Sequence, residues 1–127
     1  MLRRVPRPIV SPLREAFDHV PAPIVQRARV VVVPTLTPGV GGMTLGRLIL
    51  MRRDRRDDLT LLAHELVHVQ QWTEFGVFGF LIRYLGSYVV NLSRTRRHRL
   101  GYLAIPFERD ARREASRWRA SHPELVV

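Results

Sequence analysis

Apolar residues in the middle of the chain recur at helical spacing: Leu59, Leu62, Leu66 and Val69 fall on one face of a 3.6-residue turn. Asp57-Asp58 stands just before them, where an N-cap belongs and where the positive end of a helix dipole favours carboxylates. This pattern predicts a helix from Leu59 to Trp72. Upstream, Arg29-Val-Val-Val-Val33 is a β-branched run closed by Pro34, the signature of a buried strand. Residues 34–46 gather Pro34, Pro38, Gly39, Gly41, Gly42 and Gly46 and read as a turn-rich connection. Met43 to Arg53 then reads as one strand, with Leu48 and Leu50 on one face and Ile49 and Met51 on the other. Short helices are expected from Pro12 to His19 and from Ile24 to Ala28, punctuated by Pro21 and Pro23. Thr73 to Asn91 is helical but broken by glycines, Ser93 to Arg99 is a basic connection, and Pro106 opens a last helix, Phe107 to Ala120, ahead of Pro123.

The length, 127 residues, supports one core and hence a single domain, residues 1–127. Cysteine is absent, which excludes disulfides, thiolate nucleophiles and cysteine-based zinc sites, so any metal must be held by His, Asp or Glu. The net charge is +10, and all 21 basic residues are arginine. Such an excess suits phosphate or anionic lipid, but the total absence of lysine favours a GC-rich genome that encodes arginine in its place, so the charge says little about a partner. The arginines of the last helix lack an interleaved aromatic pattern beyond Trp118, which argues against nucleic acid. Phe75 to Val90, 16 residues with Arg83 inside, is shorter than the roughly 20 apolar residues that span a bilayer. It reads as a buried helix or helical hairpin, or as an interfacial segment in peripheral contact with a membrane. Prolines at 6, 8 and 12 interrupt what would be the apolar part of a secretory signal, so a cytoplasmic location is expected.

The chemistry concentrates in His64-Glu65-Leu66-Val67-His68. On a helix, positions i and i+4 project from one face, so the two imidazoles can grip one ion, and Glu65, about 100° around the helix, can reach a water beside it. The neighbours Leu61, Leu62, Ala63, Val67 and Val69 are uncharged, and burying two histidines and a glutamate among them is costly unless each polar edge has a partner. A catalytic zinc needs a third protein ligand. The candidates are His98, Glu108, Asp110, Glu114, Glu74 and His19, of which a group on the last helix is the natural choice, whereas His98 sits among Arg94, Arg96, Arg97 and Arg99. Trp72 and Trp118 read as core.

The string His64-Glu65-Leu66-Val67-His68-Val69-Gln70-Gln71, followed by Ile105-Pro106-Phe107-Glu108-Arg109-Asp110-Ala111, resembles the small bacterial gluzincin-type metallopeptidase domains, minimal relatives of the thermolysin clan, over residues 43–115. The resemblance implies a zincin-like α+β fold, a small antiparallel sheet packed on the motif helix and on a C-terminal helix that carries the third ligand, Glu108. It also implies an antiparallel edge strand before the motif helix, at Arg47 to Arg52, on which an extended peptide pairs. Thermolysin-like relatives carry an Asp four residues after the ligand Glu, and Arg112 stands there instead. Asp110 with Glu114 repeats a carboxylate pair at i and i+4, which leaves a shifted register with Asp110 as ligand open.

The expected function is that of a zinc metallopeptidase acting on peptides or proteins, with Zn2+ on His64, His68 and Glu108 and with Glu65 as general base. Tyr84, Tyr88, Tyr102 and His98 are the candidate oxyanion donors. The alternatives are an inactive zincin fold with structural zinc and a partner-binding surface, or a basic module for nucleic acid or anionic lipid.

Overall fold

The computed structural model describes residues 5–95 and 106–125. It is an α+β fold in which a four-stranded sheet packs on helices. In chain order the elements are β1 (Arg7–Pro8), α1 (Leu13–Ala16), α2 (Ala22–Arg27), β2 (Arg29–Val33), β3 (Gly42–Leu45), β4 (Leu48–Arg52), α3 (Leu59–Thr95) and α4 (Pro106–Ser121). A 3-10 turn at Arg53–Arg55 precedes α3, and another at Pro123–Leu125 follows α4.

The sheet order is β1-β2-β4-β3. It is mixed, which corrects the all-antiparallel expectation: β2 and β4 run parallel, with Val30 opposite Ile49 and Val32 opposite Met51. The reason lies in the Met43–Arg53 stretch. It forms a hairpin, turning at Gly46-Arg47 and pairing Leu45 with Leu48, so that β4 returns between β2 and β3. Leu48–Arg52 is therefore an interior strand, and the edge expected there is β3. Ile49 and Met51 are fully buried on one face of β4, whereas Leu48 and Leu50 are only partly covered. The first helix is also shorter than expected, four residues rather than Pro12 to His19, because the chain turns at Phe17 to bury that ring against Trp118.

α3 starts where its cap dictates. Asp58 Oδ1 accepts the Leu61 N–H at 2.9 Å, while the Asp57 side chain stays exposed and pairs with Arg56. Gly76 interrupts the helix at φ 71°, ψ 173°, values that a side chain would resist, so the run of apolar residues is bent away from the motif helix. Before the break, Leu62, Ala63, Leu66, Val67 and Val69 enter the main core with Ile49 and Met51. α3 packs along α4, and Ala63, Ala111 and Ala115 are all but fully buried there, small enough to let the two helices approach closely. Trp118 anchors α4 at its far end by donating from Nε1 to Ala16 O at 2.8 Å. After the break, Phe80 joins Trp72 and Phe107 in a second cluster, with Tyr84 and Tyr88 against it. Within Phe75–Val90 only Phe80 is buried, with Tyr84 and Tyr88 half-covered beside it, so the buried helix expected there is instead largely exposed, because α4 and the aromatic cluster cover only its Phe80 side. Among the described residues no helix is long and apolar enough to cross a membrane.

Candidate metal centre

The helical repeat of α3 and the packing of α4 bring three side chains to one point. His64 Nε2 and His68 Nε2 lie 3.2 Å apart. Glu108, in the first turn of α4, places Oε2 3.2 Å from His64 Nε2 and Oε1 3.0 Å from His68 Nε2. Ligand atoms about 2.0–2.1 Å from a tetrahedral ion stand roughly 3.3–3.4 Å from one another, so these separations suit a small cation with little rearrangement. Among the described residues this is a His/Asp/Glu group able to hold a metal ion, and His68 and Glu108 are buried. Two imidazoles and a carboxylate form the donor set of an open site, in which a fourth position is left for water.

Burial pushes the Glu108 carboxyl upward, but hydrogen bonds from His64 and His68, and their charge, outweigh it and hold the group well below the ordinary carboxylate range. Burial likewise lowers His68, yet the Glu108 carboxylate, the Glu65 charge and Gln71 reverse this and raise it above the usual imidazole value. Protonated His68 has an acceptor for each ring nitrogen. Nδ1–H donates to Gln71 Oε1 at 2.7 Å, and Nε2–H faces Glu108. Loss of the Nε2 proton leaves the Nδ1–H tautomer with a lone pair aimed at the same point, the form that binds a cation.

Gln71 closes the motif string without a role that the sequence assigns it, although its spacing, three residues after His68 on the same helix face, is the signal that could reveal one. Its amide also donates from Nε2 to Phe107 O at 3.1 Å, which ties α3 to the residue before Glu108. It therefore supports two ligands at once. Gln71→Ala is expected to weaken metal binding about 10–100-fold, the usual cost of removing a ligand's supporting partner, as read by competition with a chromogenic chelator. An affinity unchanged in a folded variant would show that His68 is oriented by other means.

Glu65 is buried beside the cluster, and its Oε2 accepts a hydrogen bond from Thr44 Oγ1 at 2.8 Å. Thr44 likewise carries no signal in the sequence, because only the pairing of β3 with β4 brings it over the motif helix. Gly42 belongs to the same arrangement: a Cβ there would stand 3.2 Å from Glu65 Oε1. A groove of about 360 Å³ opens at this place. One wall is Gly42, Met43 and Thr44 of β3, the other is Trp72, Phe80 and Tyr84, and Glu65, His68 and Glu108 lie between them. A larger depression of about 770 Å³ touches His64 from the side of Arg55, Arg112 and Arg119, but Glu65, His68 and Glu108 do not line it.

The other candidate ligands are placed elsewhere. Asp110 pairs with Arg113 at 2.9 Å on an exposed surface, and Glu114 pairs with Arg117, so the shifted register is not what the fold assembles. Glu74 accepts from Gln70. His19 donates from Nε2 to Ala63 O at 2.9 Å and packs near Trp118, where burial lowers its pKa. His98 and Tyr102 lie outside the described residues. Tyr84 lines the groove, whereas Tyr88 packs against the aromatic cluster.

Comparison with known proteins adds one finding. No curated protein and no solved structure matched the chain. A family profile did match, over about a third of the length. The segment takes in both strands of the hairpin and the His64–His68 turn but stops short of Glu108, and it does not establish membership of the gluzincin peptidases. The family it represents is described as the eCIS core domain, and the residues matched are 33–75.

Proposed function

We propose that the protein is a zinc-dependent peptidase that cleaves extended peptides or proteins. The observation that carries the reading is the convergence of His64, His68 and Glu108, with His68, Glu108 and the buried Glu65 lining an open groove. A two-histidine, one-carboxylate set serves iron(II) as well as zinc, and it is the His-Glu-x-x-His spacing, with Glu65 beside the ligands, that supports zinc. A bound zinc ion supplies Lewis acidity, lowering the pKa of water towards about 7 and polarising a carbonyl. The remaining work falls to the chain itself. Glu65, fixed by Thr44, takes a proton from the attacking water and returns it to the departing amine. β3 is an edge strand, so the backbone of an extended substrate can pair with it and lie across Glu65. The apolar wall of Trp72, Phe80 and Leu81 suits a large apolar side chain. Tyr84, on the same wall, is the candidate tyrosine that lines the groove and the proposed donor to a developing oxyanion.

Metal analysis of protein purified without added metal, followed by digestion of a peptide library, tests this. The expected result is about one zinc per chain and cleavage that a chelator abolishes and zinc restores. Zinc bound with no cleavage, together with a fall in melting temperature on chelation, would favour the structural-zinc alternative. Failure to bind any divalent ion would remove the proposal.

A further inference from the structure

After Gly76, α3 is apolar on both sides. Phe80 and Tyr84 face the aromatic cluster, but Phe78, Ile82, Leu85 and Val89, spaced i, i+4, i+7 and i+11, form a continuous stripe on the opposite face. That stripe is open to solvent: Phe78 is 81% exposed, Ile82 70%, Val89 62% and Leu85 55%. A contiguous exposed patch of this kind marks an interaction surface rather than ordinary scatter of apolar side chains. Charge is segregated along the same stretch. Between Glu74 and Glu108 the chain has no acidic residue, yet it contains Arg83, Arg94, Arg96, Arg97 and Arg99. Arg83 and, from α4, Arg109 line a shallow depression with Ile82 and Val90, which sets cations directly beside the apolar stripe.

We propose that this face of α3 lies on an anionic membrane surface, with Phe78, Ile82, Leu85 and Val89 among the acyl chains and Arg83 and Arg109 at the phosphates. Three observations select this occupant. The stripe is Phe, Ile, Leu and Val with arginine at its border, the combination carried by helices that lie in a membrane interface. A second copy docked through the same face would set Arg83 and Arg109 against like charges, with no acidic side chain lining the depression to offset them. No described helix is long and apolar enough to cross a bilayer, so the segment lies along the surface rather than through it.

Vesicle co-sedimentation of the full chain tests this, independently of any peptidase activity. The lipids are equal parts phosphatidylglycerol and phosphatidylcholine, or phosphatidylcholine alone, at about 0.1 M salt, where exposed charges are felt over about 10 Å. Binding to the anionic vesicles should exceed binding to the neutral ones at least about tenfold and fall with added salt. The double variant Phe78→Ser/Ile82→Ser, made on exposed positions and checked for an unchanged melting temperature, should lose about tenfold in binding. Absence of sedimentation with anionic vesicles overturns the proposal. So does undiminished binding of the folded variant, which would leave a purely electrostatic contact. A dimer in analytical ultracentrifugation that the same variant dissociates assigns the stripe to self-association, and capture of an acidic protein in place of vesicles assigns it to a protein partner. Either result overturns the membrane assignment.

Discussion

Replacing Glu65 with Gln is expected to reduce peptide cleavage about a thousandfold or more while leaving the metal in place. The substitution keeps the size of the side chain and an oxygen that can accept the Thr44 hydroxyl, so the contact between β3 and α3 survives. What it removes is the proton acceptor. General-base catalysis contributes about 10²–10⁴ in rate, so a thousandfold loss corresponds to about 4 kcal/mol of barrier. Glu65 is not among the three converging ligands, hence zinc content measured on the purified variant should equal that of the parent. If the Glu65→Gln variant cleaved at the parent rate, the base would have to be sought elsewhere and the proposed peptidase mechanism would fail. If zinc were lost as well, Glu65 would have to be regrouped with the ligands.

Glu108→Gln is expected to act on binding first. The carboxylate contacts both imidazoles at 3.0 and 3.2 Å and is held ionised by them, which makes it a ready anionic ligand, whereas a neutral amide oxygen is a weak one. Metal affinity should fall by more than the roughly 100-fold upper cost of losing a supporting partner, and cleavage should vanish at limiting zinc. Asp110→Asn serves as the comparison, since Asp110 is exposed and engaged with Arg113. It should bind zinc as the parent does. Isothermal titration of both metal-free variants, with circular dichroism to confirm folding, reads the difference. The reverse ranking would reinstate the shifted register on α4.

How much of the fold and the site is legible in the sequence depends on how local each cause is. The α3 start can be read from Asp58, because the cap and the N–H it satisfies are three residues apart. The β2 strand can be read from four consecutive valines, and the opening of α4 from Pro106. The hairpin inside Met43–Arg53 is hidden because Gly46-Arg47 interrupts a nearly continuous apolar run for only two residues. The apolar stretch after Gly76 conceals a solvent-facing stripe, since a residue pattern apolar on every side does not say which side is covered. Gln71 is within reach of the same helix-spacing reasoning that pairs the histidines, whereas Thr44 and Gly42 are not, being joined to Glu65 through strand pairing.

The amino-acid order alone settles that His64 and His68 share a helix face with Glu65 at its side, because an α-helix has one geometry and the spacing is read directly against it. It also settles that cysteine plays no part. Which carboxylate meets the imidazoles, which strand forms the edge over Glu65 and which face of α3 stays bare are matters of packing. Each depends on contacts between segments tens of residues apart, on small alanines letting α4 come close and on β4 slipping between β2 and β3, and no local pattern encodes such an encounter.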